Sequence, residues 1–124
     1  MIDVVAAVIK KNNKYFIAQR NRNKHFPYHY EFPGGKVENN ENFENALKRE
    51  IYEELSINIE IIKKIASEKY TDDKIDVEVH YFLCESQNDK IILSEHEDMK
   101  WVQKNHILKY KLAPGDAKII KYLD

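Results

Sequence analysis

Apolar and polar positions repeat along this chain with two different periods. Residues 2–9, IDVVAAVI, are apolar and β-branched and end at Lys10-Lys11, which predicts a buried strand leaving the core. Asn12-Asn13 is turn chemistry, and residues 14–20, KYFIAQR, predict a second strand hairpin-paired with the first. Residues 21–31 carry no period, and Pro33-Gly34-Gly35 predicts a turn or loop. Over 42–55 the spacing becomes helical, and it returns to strand character over 57–66 and 75–84. In the last of these, Ile75, Val77, Val79 and Tyr81 fall on one face and Asp76, Glu78 and His80 on the other. A polar loop over 86–98, a short strand at 99–102 and a terminal helix over 115–123, behind Pro114, complete the reading. Together these elements predict an α/β (α+β) fold with a mixed sheet.

Composition narrows the function classes. With 124 residues, 43% hydrophobic and 33% charged, the chain is expected to form one domain spanning 1–124 around one core. Twenty basic residues against 21 acidic ones leave a formal net charge of −1, so nothing attracts a nucleic acid polymer or an anionic membrane. An anionic ligand has to be held locally. The one cysteine, Cys84, excludes an internal disulfide and fits a reducing compartment. The start MIDVVAAVIKK is too short and too early-charged for a signal peptide, and no apolar run approaches the ~20 residues of a membrane span. A cytoplasmic location is expected.

The informative segment is GGKVENNENFENALKREIYEELSI, residues 34–57. Wound at about 100° per residue, Phe43, Ala46, Leu47, Ile51 and Leu55 form a core-facing arc, while Asn45, Lys48 and Arg49 face solvent. Glu50 and Glu54 fall inside the apolar arc and Glu53 at its edge. A solvated charged face is the ordinary explanation of a Glu-rich helix. It fits poorly here, because like charges three or four apart cost about 0.2–0.5 kcal/mol per pair, and more when desolvated. Arg49 can pair with Glu53 at i+4, which leaves Glu50 and Glu54 uncompensated. A hard divalent cation with oxygen ligands, magnesium first among them, fits that gap. Gly34-Gly35 lets backbone carbonyls approach an ion or phosphate, and Glu41, just before the helix, is placed to bond its free N–H groups.

This stretch resembles the signature of the Nudix hydrolase family: a glycine, five residues, a glutamate, seven residues, Arg-Glu, an aliphatic residue, any residue, Glu-Glu, any residue, a glycine and an aliphatic residue. Gly35, Glu41, Arg49, Glu50, Ile51, Glu53, Glu54 and Ile57 stand in the required places, and Ser56 stands where the family has its helix-ending glycine. A serine held in the left-handed conformation there costs ~1 kcal/mol. The segments EFPGGKVE (31–38), Glu95…Trp101 and LAPGD (112–116) extend the likeness, in order, to the MutT-type branch that cleaves nucleoside triphosphates.

The resemblance implies an α/β/α sandwich with a mixed β-sheet and a loop-helix-loop catalytic motif. It implies that Glu50, Glu53 and Glu54, with the carbonyl of Gly34, hold magnesium, for which manganese can substitute, and that Arg49 orients a glutamate. Arg20 is implied to meet the nucleotide, Phe32 to flank the base, and Gly35 and Lys36 to border the substrate. Glu95, with Glu97 a close second, is implied to complete the metal shell or act as base. The reaction implied is magnesium-assisted attack of water on phosphorus, releasing nucleoside monophosphate and pyrophosphate.

Asp116 bears on the base. An ionised carboxylate only accepts, which suits the amino group of cytosine, where an asparagine in the pattern for 8-oxoguanine both donates and accepts. LAPGD also resembles the cytidine-triphosphate branch, pointing to CTP, dCTP or a modified cytosine nucleotide. Equally, Asp116 serves as the N-cap of the last helix. Hydrolysis of 8-oxo-dGTP, of another nucleoside diphosphate-linked compound such as ADP-ribose, and non-catalytic nucleotide sensing stand as alternatives. The expected partner is a small nucleotide, the expected assembly a monomer or homodimer. His25 and His29 are expected to be loop histidines, since Pro27 between them disfavours a helical metal pair. Cys84, Trp101 and Tyr28, Tyr30, Tyr70 and Tyr81 read as core or edge residues.

Overall fold

The computed structural model describes residues 1–88 and 90–124. The strands are β1 (Ile2–Lys11), β2 (Lys14–Gln19), β3 (Tyr30–Glu31), β4 (Gly34–Lys36), β5 (Ile59–Thr71), β6 (Asp76–Ser86) and β7 (Asp98–Val102), with one α-helix, α1 (Phe43–Leu55), between β4 and β5. Two 3₁₀ helices follow, Lys104–Lys109 and Asp116–Tyr122. Strand order is β3-β2-β1-β6-β5, with β4 paired to β1 and β7 to β2. The β1–β6 pair is parallel and the others antiparallel, so the sheet is mixed, as the pattern predicts.

The unbroken apolar run of β1 is explained by burial on both faces. Val5, Ala7 and Ile9 join Leu47, Ile51 and Leu55 of α1 in one core cluster. Ala6 and Val8 join Ile107, Ile119 and Ile120 of the 3₁₀ helices, and Leu123 just beyond the second, in the other. The β1–β2 hairpin turns on Asn12 and Asn13, both left-handed with φ of 51° and 64°, the backbone of a type I′ turn. Only Lys10 and Lys11 pair with β2; nearer its start, Val4–Ala6 of β1 pairs with β4 instead. That exchange of partners along one strand separates β2 from β4 and gives α1 side chains access to the other face of the sheet.

Several boundaries differ from the sequence pattern. Pro33-Gly34-Gly35 is not a loop: Gly34–Lys36 is a strand, and a Cβ at Gly34 would overlap Val5 O, so only glycine permits this pairing. Strand β5 continues five residues past Ala66 because Ser67–Thr71 stays in backbone register with β6 despite its polar side chains. The terminal helix starts at Asp116 and is 3₁₀, with Gly115 (φ 91°) as its N-cap. Ile119 and Ile120 of this helix and Leu123 just beyond it pack into the core. On the Asp76–Glu78–His80 face of β6, Asp76 is exposed while His80 is buried under Phe43 of α1 at 4.4 Å between rings. Cys84 is buried, which pushes its thiol pKa up to about 12, and Trp101 packs edge-on to Phe16 at the core margin.

Helix α1 begins where Asn42 Oδ1 accepts the Asn45 N–H at 2.8 Å. It ends at Ser56, held left-handed at φ 57°, ψ 34° with its N–H on Tyr52 O. The cap is therefore Asn42, and Glu41 is occupied elsewhere. No described helix is long and apolar enough to cross a membrane.

Candidate active site

Helix α1 delivers its carboxylates to three different environments. Glu54 is 4% exposed among the apolar residues of the stripe, as the helical arc predicts, and its Oε1 has no hydrogen-bond partner among the described residues. Burial, a hydrogen bond with Glu50 and the charges of Glu31, Glu50 and Glu95 push its pKa up to about 10. Glu50 is mostly buried and occupies the space that a Cβ on Gly35 would fill. Glu53 remains largely exposed.

Arg49 does not lie on a solvated face with Glu53 as its one partner. Its Nε and Nη2 grip Glu41 at 2.6 and 3.0 Å, and Nη1 reaches Glu50 Oε1 at 2.9 Å and Glu53 Oε1 at 3.3 Å. Nη2 also donates to Lys36 O at 3.1 Å. Glu50 is thus compensated, contrary to the helical-wheel expectation, because a guanidinium carries enough donors to serve several carboxylates at once. The same fan explains Glu41: it accepts from Arg49 and from Glu38 N–H, which fixes the loop before α1 rather than capping the helix.

These carboxylates open into a cavity of about 700 Å³. Glu31, Glu50, Glu53, Glu54 and Glu95 supply its acidic lining, and Phe26, Tyr70, Ile75, Val77, Val79 and Pro114 an apolar wall. Gly34, Gly35 and the exposed Lys36 border it from β4. Backbone bonds from Val37 N–H to Asp3 O and from Ala7 N–H to Pro33 O put the alternate residues 33, 35 and 37 on the β1 side. The carbonyls of Gly34 and Lys36 therefore face away from that ladder, and the latter accepts from Arg49.

Arg20 lines the cavity but is already engaged, with Nη1 2.5 Å from Glu31 Oε1 and Nε donating to His25 O at 2.7 Å. Phe32 borders the cavity while its ring is locked in the core, edge-on to Tyr81. Of the two loop glutamates, Glu95 lines the cavity, and Glu97 is not among the lining residues. Asp116 caps nothing. It lies buried at the cavity, where Oδ1 accepts the Tyr81 O–H at 2.5 Å and Oδ2 the Phe32 N–H at 3.0 Å. Burial raises its pKa to about 7 against the lowering effect of the Tyr81 bond.

Sequence reasoning did not single out His96 or the 21–29 loop. His96 Nε2 lies 2.9 Å from Glu31 Oε2 and 4.0 Å from Glu54 Oε1, with the ring almost fully buried. The loop bends over the cavity, pairing His25 with Asp72 at 3.1 Å and packing Phe26 edge-on to Tyr70. No periodicity marks either one; both depend on segments distant in sequence. His25 and His29 form no metal pair.

The carboxylate set tests well for a hard divalent cation. Glu50 and Glu54 lie within hydrogen-bond reach of each other and Glu53 lines the same cavity, beside a buried oxygen that has no partner among the described residues and that the protein otherwise has to protonate. A separate cluster, Asp3, Glu78 and His80, also has ligand atoms within 4.8 Å of one another. There, however, Lys64 Nζ approaches His80 Nδ1 at 3.0 Å and donates to it, so His80 Nε2 carries the proton and donates to Asp3 Oδ1 at 3.0 Å. An N–H, not a lone pair, faces those carboxylates.

Comparison with known proteins agrees with this geometry. Residues 1–123 match the NUDIX domain. The chain is 32% identical over 121 residues to the CTP pyrophosphohydrolase of Escherichia coli K12, covering 98% of this chain and 90% of that protein. It is 30% identical over 118 residues to the 8-oxo-dGTP diphosphatase of Buchnera aphidicola, covering 95% and 89%. The crystal structure of a MutT NUDIX hydrolase from Burkholderia pseudomallei superposes with a TM-score of 0.90 at 20% identity, over 99% of this chain and 98% of that one. With Glu50, Glu53 and Glu54 of the signature lining one cavity and the fold shared from end to end, the chain belongs to the Nudix hydrolase family.

Proposed function

We propose that this protein hydrolyses a nucleoside triphosphate carrying cytosine or a modified cytosine to the monophosphate and pyrophosphate, with magnesium. The observation that carries the reading is the unpartnered, buried Glu54 Oε1 beside Glu50 in a cavity whose far lining is apolar. Glu50, Glu53 and Glu54, with the outward carbonyl of Gly34, would hold the cation. Bound there, it supplies positive charge against the phosphates and assists attack by water. The chain does the rest. Arg49 holds Glu50 and Glu53 in place, and Glu95, exposed at the cavity, is positioned to accept the proton of the attacking water. The wall of Phe26, Tyr70, Val77 and Val79 suits the face of a base.

Two observations bear on which base. Each Asp116 oxygen already accepts one hydrogen bond and keeps a second lone pair, so the ionised group presents acceptors, the complement of a cytosine amino group. The relative named for CTP supports the same choice. An oxidised guanine is favoured by one fact: with its pKa at about 7, Asp116 is protonated in a large share of molecules at neutral pH and then donates. The relative named for 8-oxo-dGTP belongs with that reading.

The test is hydrolysis with magnesium of CTP, dCTP, 5-methyl-dCTP, 8-oxo-dGTP and ADP-ribose, with identification of the products. Monophosphate and pyrophosphate, fastest from a cytosine nucleotide, is the expected result. Fastest turnover of 8-oxo-dGTP moves the assignment to the guanine reading. Ribose phosphate plus AMP from ADP-ribose, or binding without turnover across the panel, overturns the triphosphate reading.

A further inference from the structure

The 91–97 loop lacks regular structure yet is tied to its surroundings on two sides. Ile92 N–H donates to Leu55 O at 3.0 Å, and Ser94 donates through N to Glu54 O at 3.1 Å and through Oγ to Glu53 O at 2.6 Å. These bonds take up carbonyls that the end of a helix leaves free. On the other side Glu97 N–H donates to Gln19 O at 2.9 Å, and Asn21 Nδ2 to Glu95 O at 2.9 Å. The loop is thus a bracket between the last turn of α1 and the end of β2, and His96 stands at its centre.

Among the described residues His96 has one polar partner within hydrogen-bond reach, Glu31 Oε2 at 2.9 Å, and a carboxylate there requires the Nε2–H tautomer. Its Nδ1 is buried without a partner. Glu31 gives its other oxygen to Arg20 Nη1, and Arg20 Nε donates to His25 O in the loop that bends over the cavity. Glu54 Oε1 lies 4.0 Å from His96 Nε2 on the same side of the ring. A continuous chain of contacts therefore runs from the buried carboxylate of α1 through His96, Glu31 and Arg20 to the 21–29 wall.

We propose that His96 is a positioning residue, which backs the Glu54 carboxylate and at the same time holds Glu31 against Arg20. It rests on the cation reading above for the meaning of Glu54. Removing the ring leaves Glu54 free to turn away from Glu50, and Glu31 with one donor where it now has two. Loss of a group hydrogen-bonded behind a ligating carboxylate typically changes metal affinity ~10–100-fold, and His96, in contact with Glu54 at 4.0 Å without a hydrogen bond, belongs at the lower end of that range.

The experiment compares wild type with His96→Ala, His96→Gln and Glu31→Gln in three measurements. They are Mn²⁺ binding without nucleotide, by calorimetry or electron paramagnetic resonance; kcat and KM on whichever nucleotide the wild type turns over; and thermal melting. His96→Ala should weaken Mn²⁺ binding about tenfold or more and lower kcat. His96→Gln, whose amide nitrogen can occupy the Nε2 position, should restore most of both. Glu31→Gln should raise KM at saturating metal with Mn²⁺ affinity within about threefold of wild type, since it loosens Arg20 and leaves the ring behind Glu54. Unchanged Mn²⁺ affinity and kcat in a folded His96→Ala protein overturns the proposal. So does a Gln variant as impaired as the Ala one, which would mark a purely packing role. If His96→Ala does not fold, His96→Asn, polar but too short to reach Glu31, takes its place with the same expectation. A wild type that binds Mn²⁺ but hydrolyses no nucleotide defeats the proposed reaction alone, and the Mn²⁺ series still decides for or against His96.

Discussion

Glu54 carries two opposed demands under the proposed cation site, since its carboxylate lies in the core and holding a cation requires it to be charged. Replacing it by glutamine keeps the shape and removes the charge. Glu54→Gln is expected to lower kcat by at least ~10²-fold with the fold intact, checked by steady-state rates alongside circular dichroism. A variant within a few-fold of wild type would remove Glu54 from the cation site. At Asp116 the expected change is one of ranking. Asp116→Asn adds a permanent donor, so the ratio of kcat/KM for dCTP over 8-oxo-dGTP should fall by about tenfold or more. An unchanged ratio would leave Asp116 as an internal link between Tyr81 and the Phe32 backbone. Neither expectation needed the coordinates to nominate the residue, but the partners of Asp116 did: nothing local in LAPGD announces a bond to Phe32, 84 positions away.

At the scale of elements, two adjacent glycines of β4 do different work. A Cβ on Gly34 would overlap the backbone of Val5, which cannot withdraw, so Gly34→Ala should destabilise the fold by about 3 kcal/mol in denaturant titration. A Cβ on Gly35 would meet the end of the Glu50 side chain, which can move. Gly35→Ala should therefore keep most of the stability and lose at least about tenfold in kcat by displacing that carboxylate. Equal effects of the two on stability would refute this division. At the other end of α1, Ser56 occupies the left-handed position of the helix cap. Ser56→Gly should stabilise by about 0.5–1 kcal/mol with unchanged rates, because glycine takes that backbone without steric cost.

For the molecule as a whole, the buried carboxyl links stability to pH and, through the proposed cation site, to metal. In the metal-free protein the Glu54 pKa is raised to about 10 from 4.5, so the folded state keeps a proton that the unfolded chain has released. Its contribution is complete below the unfolded value and declines as pH climbs from about 4.5 toward 10, by at most about 1.4 kcal/mol per unit. In chelator, the melting temperature should fall between pH 5.5 and 8.5 more steeply for wild type than for Glu54→Gln. Magnesium should recover the loss at the upper end in wild type alone, since a ligand bound only to the folded state stabilises it by mass action. Parallel pH profiles for the two proteins, with and without magnesium, would contradict the linkage.

The sequence by itself determined the local matters. Periodicity located α1 and most strand centres, the Asn12-Asn13 pair specified the hairpin turn, and the spacing of Glu50, Glu53 and Glu54 showed that carboxylates share a helical face with apolar residues. Each of these depends on neighbours within one or two turns of chain. Only the tertiary structure decided the partners: Arg49 serving Glu41 and Glu50, Asp116 buried rather than capping, β4 as a strand where glycine allows close approach, and His96 held between Glu31 and Glu54. Those outcomes depend on which distant segments the sheet brings together. A polar side chain's role follows from the donors and acceptors left unsatisfied around it, and these exist only once the sheet has closed.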